Sequence, residues 1–212
     1  YIEFYKEFHK TLKEGLYMDH QRKELLRDLL MFESTKTEPG KFTFLKSYVD
    51  NMKADQEFIF YMSGLSRAEL EQSPYLEGVK EKDYEVLFLL DEIDGFIVSE
   101  LEYNGKKLKS VTKGDIELDK NKKSEKQQAE KKYGKIIDLI KDQLKDDIKD
   151  VRISARLKES ACCLVADEGD IDQNLERLMK AMGQTIPLSK RILELNPAHP
   201  LIESMNGVFE KD

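Results

Sequence analysis

Tyr84–Val111, YEVLFLLDEIDGFIVSELEYNGKKLKSV, decides the fold. After Glu85 come the apolar residues Val86 to Leu90 with no period-2 alternation, the pattern of a strand buried on both faces. The acidic turn Asp91-Glu92-Ile93-Asp94 follows, and Ile93, Phe96, Ile97 and Leu101 then recur at helical spacing. Asn104-Gly105 breaks that helix, and Lys107–Val111 reads as a further short strand. Strand, helix and strand within about thirty residues predict a βαβ unit, and such units build parallel sheets.

Upstream, Phe4, Phe8 and Leu12 fall at i, i+4 and i+8, and Gly15 stands where a helix stop belongs, predicting an amphipathic first helix. Leu25, Leu26, Leu29 and Leu30 predict a second, ended by the Ser34–Gly40 loop. Thr43 is placed to cap a third, whose buried face is Leu45, Tyr48, Val49 and Met52. Phe58–Met62 is a continuous apolar run expected to be a buried strand. Ser66 with Glu69 matches a capping box, and Ser73-Pro74 puts a cap before a proline at the first helical position. Residues 1–112 are thus expected to form a small three-layer α/β domain around a short parallel sheet.

From Lys113 to Lys132 the composition turns to Lys, Asp, Glu, Gln and Asn, so 113–132 is expected to be a charged linker and helix start. Residues 133–212 are expected to form a second, smaller mixed helix/strand domain of α+β type. It opens on a long helix striped by Tyr133, Ile136, Ile137, Ile140, Leu144 and Ile148. Val151–Ile153 and Cys162–Ala166 read as strands. Asp170 with Gln173 predicts the cap of another helix, closed by Gly183, and Asn196-Pro197-Ala198-His199-Pro200 is expected to be extended or turned.

The bulk properties narrow the partners. A net charge of -7 argues against nucleic acid, because neutralising phosphate needs clustered Lys and Arg. The dense basic run Lys120–Lys135 is interleaved with Glu125 and Glu130 and reads as a solvated face. No apolar run is long enough for a membrane span, and no signal-peptide pattern is present. The sequence opens on Tyr1-Ile2-Glu3-Phe4 without an initiator Met, so it is expected to be a piece of a longer protein. Adjacent Cys162 and Cys163 would form a strained disulfide, so reduced thiols in a cytosolic protein are expected.

Few residues suggest chemistry. Asp91, Glu92 and Asp94 could be paired carboxylates or metal ligands, but acidic residues favour a helix's first turn for dipole reasons. His9, His20 and His199 show no ligand spacing, and Ser63-Gly64 lacks the rest of a phosphate loop. Cys162 and Cys163 sit beside Leu164 and Val165, which favours packing over a nucleophile's role. Leu175, Leu178, Met179 and Met182 form a Met-containing helical stripe that suits either a core or promiscuous apolar binding. A small α/β enzyme with its site near Ser63 and Asp91, or a plain interaction module, remain open on the residues alone.

Taken together the segments resemble the heat-shock protein 90 chaperone family, most closely its bacterial HtpG type. The resemblance is carried by LKEG at Leu12–Gly15, LLMFES at Leu29–Ser34, YVDNMKADQ at Tyr48–Gln56, IFYMSG at Ile59–Gly64, SPYLE at Ser73–Glu77 and EVLFLLDEID at Glu85–Asp94. It continues through VRISARL at Val151–Leu157, SACCLV at Ser160–Val165, LERLMKA at Leu175–Ala181 and LELNPAHPL at Leu193–Leu201. It implies the C-terminal part of a chaperone middle domain followed by a truncated C-terminal domain. It also implies that the ATP and magnesium used by the full-length family bind elsewhere, so no cofactor, metal or catalytic residue is expected here. Partners implied are partly unfolded client proteins, contacted through Phe96 and Ile97 and through Leu175, Leu178, Met179 and Met182 as partly exposed apolar patches. The family's homodimer is expected to be weak or absent in this chain. Where HtpG relatives carry an acidic residue and a Trp, this chain has Gly95 and Phe96.

Overall fold

The computed structural model describes residues 1–116, 123–184 and 189–209. The chain divides into two compact units. The first comprises Tyr1–Gln72, Asp83–Val111 and Asn174–Met182; the second comprises Ser73–Lys82, Thr112–Gln173 and Gly183–Asp212.

The first unit is built on a six-stranded mixed sheet in the order β2-β1-β4-β3-β6-β5. Its middle consists of β3 (Ile59–Ser63), β4 (Val86–Leu89) and β6 (Lys106–Ser110). These are the three strands expected at Phe58–Met62, Val86–Leu90 and Lys107–Val111, and β3 pairs in parallel with both neighbours. Three further strands extend this core antiparallel: β1 (Met31–Ser34), β2 (Thr43–Phe44) and β5 (Glu102–Tyr103). The sheet is therefore mixed rather than purely parallel. The added strands are two to four residues long, too short to show a period. β5 and β6 form a hairpin whose turn residues Asn104 and Gly105 have φ 48° and 72°, the left-handed pair that suits the twist of two joined strands.

Both faces of the central strands are covered. Ile59, Tyr61, Leu87 and Leu89 share a core with Tyr5 and Leu16 of α1 (Ile2–Met18), Leu45 and Tyr48 of α3 (Leu45–Asp50), and Ile97 of α6 (Asp94–Ile97). The alternate residues belong to the opposite face. There Arg67 of α4 (Arg67–Glu71) sets its guanidinium 5.5 Å from the centre of the Phe88 ring, and Leu70 closes on Gly64. Helix, sheet and helix make the three layers expected. Each fully buried leucine or phenylalanine contributes about 1.5–3 kcal/mol.

Several local expectations are corrected. Gly15 does not stop α1, which runs on to Met18; a Cβ there would meet Leu26 Cδ1 at 3.3 Å, so the glycine lets α2 (Lys23–Leu29) approach. Thr43 lies in β2 instead of capping α3, whose N-cap is Phe44. The helix predicted from Ile93 to Leu101 is only the four-residue α6 followed by a 3-10 turn, Val98–Glu100.

The second unit has a three-stranded sheet in the order β7-β9-β8, with β7 (Ile148–Ile153), β8 (Cys162–Val165) and β9 (Arg191–Leu195). β9 occupies the centre, parallel to β7 and antiparallel to β8, although no strand was expected there and only Asn196–Pro200 after it was expected to be extended or turned. Helix α7 (Lys123–Gln143) packs Tyr133 and Ile136 onto Val151, Ile153 and Leu195. It begins within 113–132, the stretch expected to be a linker and helix start, and Ile148 opens β7 instead of closing the helix. At the start of that stretch, Gly114 N–H donates to Ala166 C=O and Ala166 N–H to Thr112 C=O, bridging Lys113 to Ala166. Residues 117–122 of the expected linker lie outside the described residues.

One buried charge network organises this unit. Glu194 on β9 accepts from Arg152 at 2.7 Å, from Arg156 at 2.8 Å and from the Ser154 hydroxyl at 2.7 Å. Both arginines also donate to the Gly114 carbonyl. Ser73–Lys82 belongs to the same unit, with a 3-10 turn at Pro74–Leu76 and α5 at Glu77–Glu81. Tyr75 donates to the Leu164 carbonyl, and Glu77 accepts the backbone N–H groups of Lys158, Glu159 and Ser160 together with the Ser160 hydroxyl.

Candidate functional site

The acidic turn after β4 is a structural ion cluster. Lys13 of α1 is 3% exposed, and its Nζ lies 2.7 Å from Asp91 Oδ2 and 2.7 Å from Asp94 Oδ1. His9, one helical turn earlier, sets Nε2 3.2 Å from Asp91 Oδ1. Asp94, 1% exposed, accepts the Asp91 N–H on Oδ2 at 3.0 Å, which closes the turn that starts α6. Burial pulls the Lys13 ammonium down, but the Asp94 and Asp91 carboxyls outweigh it and hold the lysine charged. Burial pushes the Asp91 carboxyl up, and Lys13 and His9 more than reverse this, leaving it below the usual carboxylate range. Asp94 is pushed up, since its burial dominates.

The other chemical candidates also resolve into packing. A Cβ at Gly64 would lie 2.5 Å from Leu70 Cδ2, so this glycine admits α4 rather than cradling phosphate. His199 precedes α9 (Pro200–Phe209), and its Nδ1 accepts the Leu201 N–H at 3.1 Å. Cys162 is exposed and Cys163 buried, as alternation on a strand requires; burial pushes the Cys163 thiol up to about 12, far from a reactive thiolate. Among the described residues, no group of three or more His, Cys, Asp or Glu is placed to hold a metal.

The apolar candidates from two distant stretches meet in the first unit. Helix α8 (Gln173–Ala181) approaches α6 so closely that a Cβ on Gly95 would lie 3.1 Å from Leu175 Cδ1. Leu175, Leu178 and Met179 are half-buried and Met182 is 62% exposed, whereas Glu176 on the polar side of the helix is buried beside Lys180. The helix thus leaves much of its apolar stripe on the surface. Phe96 is half-buried, with Tyr17 of α1 edge-on at 6.4 Å between ring centres. Ile97 departs from expectation: it is 0% exposed, because the next helical position turns into the core beside Leu89 and Leu101. The glycine was visible in the sequence, but nothing local revealed that Leu175 stands against it.

A mixed sheet between helix layers and a second, smaller helix/strand unit make a protein of the α/β and α+β class. Residues 1–212 match the family model "Hsp90 protein", and the chain belongs to that family. It is 50% identical over 218 residues to "Chaperone protein HtpG" of Geobacter metallireducens, covering 100% of this chain and 34% of that protein. The protein of the same name from Geobacter sulfurreducens is likewise 50% identical with the same coverage. That of Bdellovibrio bacteriovorus is 42% identical over 97% of this chain and 34% of its own length. The chain spans about a third of the length of the curated relatives it matches. No helix among the described residues is long and apolar enough to cross a membrane.

Proposed function

We propose that this chain is the client-contacting and domain-coupling part of an ATP-driven cytoplasmic chaperone. Residues up to about 112 would correspond to the C-terminal part of the family's middle domain and residues 133–212 to its C-terminal domain, with 113–132 joining them. Phe96, Leu175, Leu178, Met179 and Met182 form the apolar surface for partly unfolded proteins, over Ile97 in the core. The observation that carries this reading is the approach of Leu175 to Gly95, which puts the two stretches side by side while Met182 stays 62% exposed. Flexible methionines and half-buried leucines suit diverse sequences, because they repack around different side chains. A few such contacts, offset by ordering costs, give an affinity near about 1 μM, or about -8 kcal/mol. Homodimerisation belongs to the full-length family, and this chain alone associates weakly.

The test is titration of a fluorescently labelled, permanently unfolded protein, reduced and carboxymethylated α-lactalbumin, against the chain and its Met182→Lys and Met179→Lys variants. Each lysine should weaken binding several-fold, with Met182→Lys changing stability by less than about 0.5 kcal/mol because that side chain is on the surface. Unchanged affinity in both variants would refute the assignment.

A further inference from the structure

Helix α1 presents His9, Lys13 and Tyr17 at i, i+4 and i+8 to the turn that carries Phe96. The stripe divides by chemistry: His9 and Lys13 engage the carboxylates at the start of α6, and Tyr17 meets the Phe96 ring. α6 is only four residues long, so its own hydrogen bonds fix its direction poorly. Asp94 Oδ1 accepts no aligned hydrogen bond among the described residues and is held by the Lys13 ammonium at 2.7 Å. Lys13 Nζ also lies 5.0 Å from the centre of the Phe32 ring, on strand β1, which ties the ammonium to the sheet. A buried cation between two carboxylates, backed by an aromatic face, makes a stiff joint between α1, the sheet and α6.

We propose that Lys13 is a positioning residue for client recognition: by clamping Asp91 and Asp94 it fixes the orientation of α6 and so the face of Phe96 offered to an unfolded chain. Lys13 is buried and cannot touch the client; its effect passes through Phe96. The proposal rests on the reading of Phe96 as a client contact.

The experiment is a double-mutant cycle on the chain with labelled carboxymethylated α-lactalbumin as the probe. Lys13→Met keeps the stem and removes the charge. Asp94→Asn removes one carboxylate, keeps an acceptor for the Asp91 N–H, and serves as the milder variant should Lys13→Met fold poorly. Each is measured alone and with Phe96→Ala, and Leu157→Ala in the second unit's core controls for simple loss of stability. Lys13→Met should weaken probe binding about tenfold, 1.4 kcal/mol. That loss should vanish in the Phe96→Ala background, while Leu157→Ala leaves affinity unchanged. An equal loss with and without Phe96, or an equal loss in Leu157→Ala, overturns the proposal. So does unchanged affinity in both Lys13→Met and Asp94→Asn when Phe96→Ala binds weakly, and that result leaves the client reading standing. Unchanged binding by Phe96→Ala itself removes the proposal and takes Phe96 out of the client surface.

Discussion

Glu194→Gln is the most exacting test of how the second unit holds together. Glu194 and Arg156 are each 1% exposed, and the carboxylate is shared among Arg152, Arg156 and Ser154. Glutamine keeps one acceptor oxygen and turns the other position into an N–H₂ donor facing donors of Arg156 and Ser154. The negative charge disappears and two guanidinium groups remain close together, one with no access to water. Breaking a buried ion pair on one side costs about 3–5 kcal/mol, because the remaining charge loses its main partner; Asp115 still acts on both arginines, so the lower end of that range is expected. The Ser154 hydroxyl also organises the following turn by accepting the Arg156 and Leu157 N–H groups at 3.2 and 3.1 Å. Hydrogen exchange of the Ser154, Arg156 and Leu157 amides reads this unit directly, and a loss of about 3 kcal/mol speeds their exchange about a hundredfold or more. Adding Arg156→Met should recover part of the loss, since the stranded charge goes with it, giving a coupling of about 1–3 kcal/mol. Exchange accelerated less than fivefold, or strictly additive effects of the two substitutions, would refute the view that this network carries a net charge balance.

Further outcomes follow from named residues. Glu77→Ala should cost about 1–3 kcal/mol, because a carboxylate accepting three backbone N–H groups and a hydroxyl is lost at a partly exposed site where water replaces some of them; urea titration checks this. Burial pushes the Glu77 carboxyl up, but those bonds hold it below its ordinary value; its stabilisation is therefore complete above the unfolded pKa, about 4.3, and disappears as pH falls through the lower folded value, a slope that Glu77→Ala should lack. Gly64→Ala should destabilise the first unit by about 1–3 kcal/mol in thermal melts, since its Cβ would press on Leu70 at 2.5 Å. Sedimentation equilibrium should give a mass near one chain at micromolar concentration; a tight dimer would instead point to the exposed Leu201, Met205 and Val208 of α9 as an interface.

The sequence by itself determined the central strands, the Ser66 and Ser73 caps and the family. Phe58–Met62 and Val86–Leu90 could be read as buried strands because a run of apolar residues without alternation leaves neither face for water. The Ser66 cap was equally legible, and its side chain accepts the Glu69 N–H. The short strands β1, β2, β5 and β9 were not, since two to five residues take their order from a partner strand and carry no pattern of their own. Ile97 and Phe96 looked alike until the end of α6 turned one into the core. Nor could spacing reveal that Lys13 lies between Asp91 and Asp94, or that Leu175 closes on Gly95, because about eighty residues separate each pair. Local propensity and periodicity are written along the chain. Which charge meets which carboxylate, and which apolar stripe stays on the surface, is decided only when distant segments pack and compete for the same interior.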